Sequence, residues 1–201
     1  EQEDNGHPLP VQQSAAWWEE WIQLQLERDF IHYWLAEMAA STTLETQLQP
    51  SVEQHATPSQ RAEFFQRKGM LEFRRNRSVA TDEVMQCAQR VFAIYQDVHS
   101  EESLPAAHFM LGFNFLWHGD LADAAEHLQI ALQLAEQSSD ISLQARALTY
   151  LTIVHRQRGD DEATRQCAAQ AFTVATTAHM PEYIAMAKAN EAWLRWIAGD
   201  D

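Results

Sequence analysis

His108, His118, His127 and His155, together with Cys87 and Cys167, invite a metal-centre reading. Cys87, His127 and Cys167 are evenly spaced along the chain, so in a repeating fold they share one position on successive units. Zinc holds its ligands about 2.0–2.3 Å from one centre, usually through close pairs such as CxxC or HxxxH. No such pair occurs, and His118 and His127 are nine residues apart. The spacing favours packing over metal binding. A Cys–His nucleophile fares no better, because both cysteines lie among Ala, Val and Phe, where a thiol is inert. There is no GxxxxGK[ST] phosphate loop. The sequence therefore predicts no catalytic residue, no cofactor and no metal.

The elements that must carry these residues are set by a period. Gly119-Asp120, Gly159-Asp160 and Gly199-Asp200 recur at one spacing, forty positions each time. A fixed spacing of this size is the signature of stacked repeats. Apolar positions share it: Leu128 with Ala168, Ala131 with Ala171, Leu132 with Phe172, and, one period earlier, Ala88, Val91 and Phe92. Within each half the spacing is three or four, which is helical. Each unit reads as helix, tight turn and helix, with Gly ending the first helix and Asp or its neighbour capping the second. The expected fold is all-α: a right-handed α–α superhelix of about four helical hairpins behind a long N-terminal helix. Residues 1–13 are an expected disordered lead-in. Residues 14–201 form one expected domain, with units at about 61–100, 101–140, 141–180 and 181–201. Nine helices and no strand are expected. The first runs from Ser14 to about Ala40, with a break at Ser41 to Thr43 before a second helix from Leu44 to about His55.

Composition narrows the role. The formal net charge is −15, which argues against general nucleic-acid binding. Residues 61–90 form a basic band of seven Lys and Arg against four acids, and residues 91–140 carry eight acids and no Lys or Arg. That band is either a solvated helix face or a surface for an acidic neighbour. No run of 18 apolar residues exists, so no membrane span is expected. Cys87 and Cys167, two repeats apart, should lie roughly 20 Å from each other at about 10 Å per helix layer. No disulfide spans that distance, and reduced thiols suit the cytoplasm. A start at Glu1 and an end just past the third Gly-Asp suggest a segment of a longer protein.

The Gly-Asp units resemble tetratricopeptide repeats, on Leu111, Gly112, Phe115, Ala124, Leu128 and Ala131, then more loosely on Leu151, Thr152, His155, Thr164, Ala168 and Ala171. The period is longer than the usual 34 of that family. The strings WWEEWIQLQLERDFIHYWL (17–35), FNFLWHGDL (113–121), ALTYLTIVHRQRGD (147–160) and HMPEYIAMAKANEAWLRWIAGD (179–200) resemble the C-terminal region of bacterial multidomain nucleotide cyclases. There a class III adenylate/guanylate cyclase domain and an AAA-type ATPase precede helical repeats. The resemblance implies a non-catalytic scaffold that transmits a signal within an ATP-binding parent, whose chemistry lies upstream. It also implies an inner surface formed by first-helix residues: Phe73 and Arg77, then Phe109, Phe113 and Trp117, then Arg146, Ile153 and Arg156, and last Trp193 and Trp196. Aromatic rings flanked by Arg suit an apolar, acidic peptide or a packed helix. Two arrangements remain, an open groove or rings buried on one another by tight curvature. A small effector held on the concave face is the other functional reading. Trp17, Trp18, Trp21 and Trp34 cover too wide an arc of the N-terminal helix for one neighbour. They predict an interface with an upstream domain or a second copy of the chain.

Overall fold

The computed structural model describes residues 13–98 and 102–199. The expected lead-in lies, but for Gln13, outside these residues, as does Asp200 of the third Gly-Asp. All regular structure among the described residues is helical, in nine helices; the first packs on the second, and each of the fourth to eighth packs on the next. The chain divides into two compact units, 1–64 and 65–201. None of the described helices is long and apolar enough to cross a membrane.

Unit 1 contains α1 (Ala15–Trp34), α2 (Met38–His55) and the start of α3 (Pro58–Arg75). Ser14 caps α1 by accepting from the Trp17 N–H at 3.1 Å, as its position before the apolar run predicts. The expected continuation to Ala40 is wrong. α1 ends at Trp34, where Ala36 takes φ +59° and the Glu37 N–H bonds the His32 carbonyl at 2.9 Å. This is a Schellman closure with alanine where glycine is usual, so the sequence gives no stop signal. The expected break at Ser41 to Thr43 is helix instead. Thr42 and Thr43 return their hydroxyls to the Met38 and Ala39 carbonyls at 2.9 Å, and Ser41 donates to buried Asp29. Hydroxyls satisfied this way tolerate a helix interior. Thr57 and Gln60 form a reciprocal capping box at 3.2 and 3.3 Å. The Gln60 amide then donates to the Glu19 carbonyl at 2.7 Å, which ties α3 to α1.

Unit 2 contains the rest of α3, then α4 (Asp82–Asp97), α5 (Leu104–His118), α6 (Leu121–Gln137), α7 (Ile141–Gln157), α8 (Asp161–Thr177) and α9 (Pro181–Ala198). Gly119 and Gly159 lie at the α5–α6 and α7–α8 turns, and Gly199 follows α9, all at positive φ as the period predicts. The structure adds a half-period. Ser139 and His179, each midway between two of these glycines, also adopt positive φ, at +59° and +55°. At Ser139, Gly159 and His179 the next N–H reaches back five residues, as in Asp160 to His155 at 3.0 Å. From Gly119 to Gly199 the unit is thus punctuated at every half-period, and alternate stops lack glycine. Left-handed backbone costs a non-glycine residue roughly 1–2 kcal/mol. Ser139→Gly is therefore expected to raise stability by about 0.5–1 kcal/mol, less than that strain because glycine also gains unfolded-state entropy. A fall in the denaturant midpoint would contradict this closure.

The core follows the matched positions. Ala124, Leu128, Ala131, Ala135, Ala147, Val154 and Ala171 have no exposed surface. Small residues let α5 and α6 approach closely at Gly112. A Cβ there would stand 2.8 Å from Leu128 Cγ and 2.9 Å from the Leu128 nitrogen. Its counterpart in the preceding hairpin is Gly69, whose added Cβ would meet Cys87 Cβ at 3.2 Å. The step between these two glycines exceeds the repeat period by three positions, because the α3–α4 connection is longer than the two-residue α5–α6 turn.

Candidate partner-binding face

Among the first helices of successive hairpins, α5 touches α7 and α7 touches α9. Residues facing along this row form a ladder of rings. Phe113 lies 5.5 Å from Phe73, 6.1 Å from Trp117 and 4.9 Å from Tyr150, the last with perpendicular planes. Phe109 stands 5.7 Å from Tyr150. These edge and tilted contacts are the geometries that aromatic quadrupoles favour. The base of the ladder is filled: Phe109 is 2% exposed and Ile153 6%. Trp117 is exposed at its rim, and Trp196, on α9, is 73% exposed. Phe73, Phe113 and Trp193 are half-buried.

Two guanidiniums lie on the rings. Arg146 is centred 4.2 Å above Phe109, and Arg156 stands 5.6 Å from Trp193 while donating to the Asn190 side-chain amide oxygen, Oδ1, at 2.8 Å. Asn190 is itself buried and donates to the Met186 carbonyl. Among the described residues neither arginine has a carboxylate partner, although the chain carries 29 acidic residues against 14 basic ones. Arg77, expected on the same face, sits instead in the turn after α3 at φ +54°. The longer α3–α4 connection breaks the repeat carry-over there. Sequence reasoning missed Tyr150. One repeat step from Phe109 lands on Thr149, whose hydroxyl bonds the Ala145 carbonyl at 2.7 Å. Burial raises the Tyr150 hydroxyl above its ordinary range, assisted by Tyr183 and opposed by Arg146.

A cleft behind Phe73 and Phe113, bounded by Gly69, Val84, Ala88 and Met110, has a volume of about 50 Å³. Small-molecule sites typically offer about 300–1,000 Å³. Of the N-terminal tryptophans, Trp18 stacks on His55 at 4.2 Å and Trp21 is half-buried. Trp17 and Trp34 are 40% and 64% exposed.

The candidate metal ligands scatter. No group of three or more His, Cys, Asp or Glu that could hold a metal occurs among the described residues. Cys167 is half-buried and its thiol is pushed above the ordinary range, chiefly by desolvation, so it is poorly ionised as a nucleophile. His118 bridges two turns, 2.6 Å from Asp120 and 3.2 Å from Asp82, and both carboxylates raise its pKa. His108 and His127 bring their Nδ1 atoms to 2.9 Å, with Phe92 edge-on to both rings. One ring must donate from Nδ1 while the other, protonated on Nε2, accepts. Burial, then the neighbouring His127, lowers His108 from 6.5 to about 4, and burial lowers His127 despite Glu126 and Asp123. Folded-state values below the unfolded one mean that the unfolded chain takes up protons first on acidification. The pair's contribution is fully present above about pH 6.5 and is lost as pH falls towards 4. His108→Gln/His127→Gln is expected to lose less stability than wild type between pH 7 and pH 4.5 in denaturant titrations. Equal losses would show that the pair does not sense acid.

Fold and face together define an all-helical protein of sequentially packed helix pairs, with a ring-and-arginine face on its second unit. No family model matches the chain, and no curated protein matches it.

Proposed function

We propose that unit 2 is a non-catalytic scaffold, a right-handed superhelix of tetratricopeptide-like hairpins. Its face on α5, α7 and α9 binds an extended segment bearing carboxylates and apolar side chains. The carrying observation is the pair of arginines held by rings and an amide, without a carboxylate, in a strongly acidic chain. A guanidinium on an aromatic platform keeps N–H donors for a carboxylate, although Arg156 gives one of its own to Asn190. Trp117 and Trp196 supply the exposed apolar anchors that such interfaces favour. The segment belongs to another domain of the same polypeptide or to a separate protein in the cytoplasm. The four strings that resemble the C-terminal region of nucleotide cyclases support a regulatory role in a larger ATP-binding signalling protein. The alternative, an effector-sensing cavity, is less well supported, because the cleft beside the ladder is several-fold smaller than a small-molecule site.

Display of random peptides tests this reading. Selection on the immobilised chain should enrich sequences combining Asp or Glu with aromatic or aliphatic residues. Trp117→Ala/Trp196→Ala should weaken the selected peptides about tenfold or more, the loss typical of removing anchor residues. No enrichment, or enrichment of basic sequences, would count against it.

A further inference from the structure

Asn114 is an amide where the repeat otherwise places aliphatic core. The same position in the next two units holds Val154 and Leu194, which are 0% and 6% exposed. Asn114 is buried to the same degree, at 6%, and lines the cleft behind Phe73 and Phe113. Its Nδ2 donates to the Met110 carbonyl at 2.8 Å, and that acceptor fixes which way the amide points. Among the described residues the amide makes no other hydrogen bond. Oδ1 and the second N–H of Nδ2 are therefore without a partner in a buried side chain. Desolvating such groups unpaired costs free energy that an aliphatic residue would not incur.

We propose that this cleft receives one primary carboxamide, the end of a glutamine or asparagine side chain. Its volume of about 50 Å³ holds about four water-sized groups, at roughly 10–15 Å³ for each. That suits the end of a side chain and is too small for a peptide backbone passing through. Of the side chains bounding it, Asn114 and Gln66 are polar, and Gln66 is exposed. An amide that offers one acceptor and one N–H is matched in one plane by a second carboxamide, which offers the reverse pair. A carboxylate would set acceptors alone against Oδ1 and lose its hydration. An aliphatic tip would leave Asn114 unpaired. Water needs several polar partners, and the buried part of the cleft supplies one. The source of the carboxamide rests on the peptide-binding reading. Phe73 and Phe113 line the cleft and also belong to the ladder, so a segment bound on that face can turn one side chain inward.

Titration of the isotope-labelled full chain with butyramide, followed by nuclear magnetic resonance, tests the cleft without a peptide. The side-chain N–H signals of Asn114 should shift saturably, with dissociation on the order of millimolar for so few atoms. Butyrate, which has the same length, should leave them in place. Asn114→Leu should weaken butyramide about tenfold or more, read on the Ala88 backbone amide. Ala88→Leu fills the cleft with the amide still present and should abolish the Asn114 shift; it decides alone if Asn114→Leu does not fold. In peptides selected on wild type, Gln or Asn should recur at a fixed spacing from the acidic residue, and Asn114→Leu should exchange it for Leu or Met. No saturable shift, an equal shift from butyrate, or binding untouched by either substitution would overturn the proposal. Acidic–apolar peptides without a recurrent Gln or Asn would overturn it too, while leaving the peptide reading intact. Saturable butyramide binding without any peptide enrichment would support the cleft and sink that reading.

Discussion

Gly112→Ala is expected to destabilise the protein by roughly 2–3 kcal/mol, although alanine is the better helix former by about 1 kcal/mol. The added methyl would lie 2.8 Å from Leu128 Cγ, 2.9 Å from the Leu128 nitrogen and 3.2 Å from the Ala124 carbonyl oxygen. A side-chain tip can rotate away, but two of these three atoms are backbone. α5 and α6 must therefore move apart, which opens space around Leu128 and Ala131, both fully buried. For a chain of this size the loss corresponds to a melting temperature lower by about 4–12 °C. The Gly112→Ala penalty should shrink but persist in a Leu128→Ala background, where only the side-chain clash has gone. A Gly112→Ala protein more stable than wild type would mean that helix propensity outweighs contact, and the close α5–α6 approach would be wrong.

The largest loss is expected from Phe109→Ala, at about 3–5 kcal/mol. Phe109 is almost fully buried in the cluster that includes Leu116, Leu148 and Ile153. Removing it forfeits the transfer free energy of the ring and leaves a cavity that the helix backbones cannot close. It also removes the platform under Arg146, so the ladder loses a base and an oriented cation in one change. Trp196→Ala is the matched control. That ring is larger but 73% exposed, and its removal should change stability by less than about 0.5 kcal/mol. Urea midpoints at constant slope measure both. Similar losses from the two variants would contradict the contrast between a filled ladder base and an exposed ring on α9.

The repeat period was legible because glycine marks the left-handed stop at 119, 159 and 199. Its half-period was not. Ser139 and His179 adopt the same conformation against their intrinsic preference, and only packing on both sides holds them there. The end of α1 was hidden likewise by Ala36, and the Ser-Thr-Thr run that suggested a break was neutralised by backbone-bonded hydroxyls. In the ladder, Phe109, Phe113 and Trp117 follow from helical spacing within one element. Tyr150 did not follow, because the repeat step fixes a Cα position and not which of two neighbouring side chains turns inward. Arg77 failed for a countable reason, the extra residues between α3 and α4. His108 and His127 were visible as residue types, but their approach across α5 and α6 depends on how two helices cross, which single-sequence periodicity does not encode.

Peptide display on wild type beside Arg146→Glu/Arg156→Glu tests the central claim most directly. Both positions are half-buried at the face and outside every described ion pair, so the reversed protein should fold. If the face reads carboxylates, wild type enriches acidic–apolar sequences and the reversed protein enriches basic–apolar ones, with the apolar component shared. If both proteins select the same peptides, or neither selects any, the arginines are ordinary packing cations and the face is not a binding surface for acidic segments.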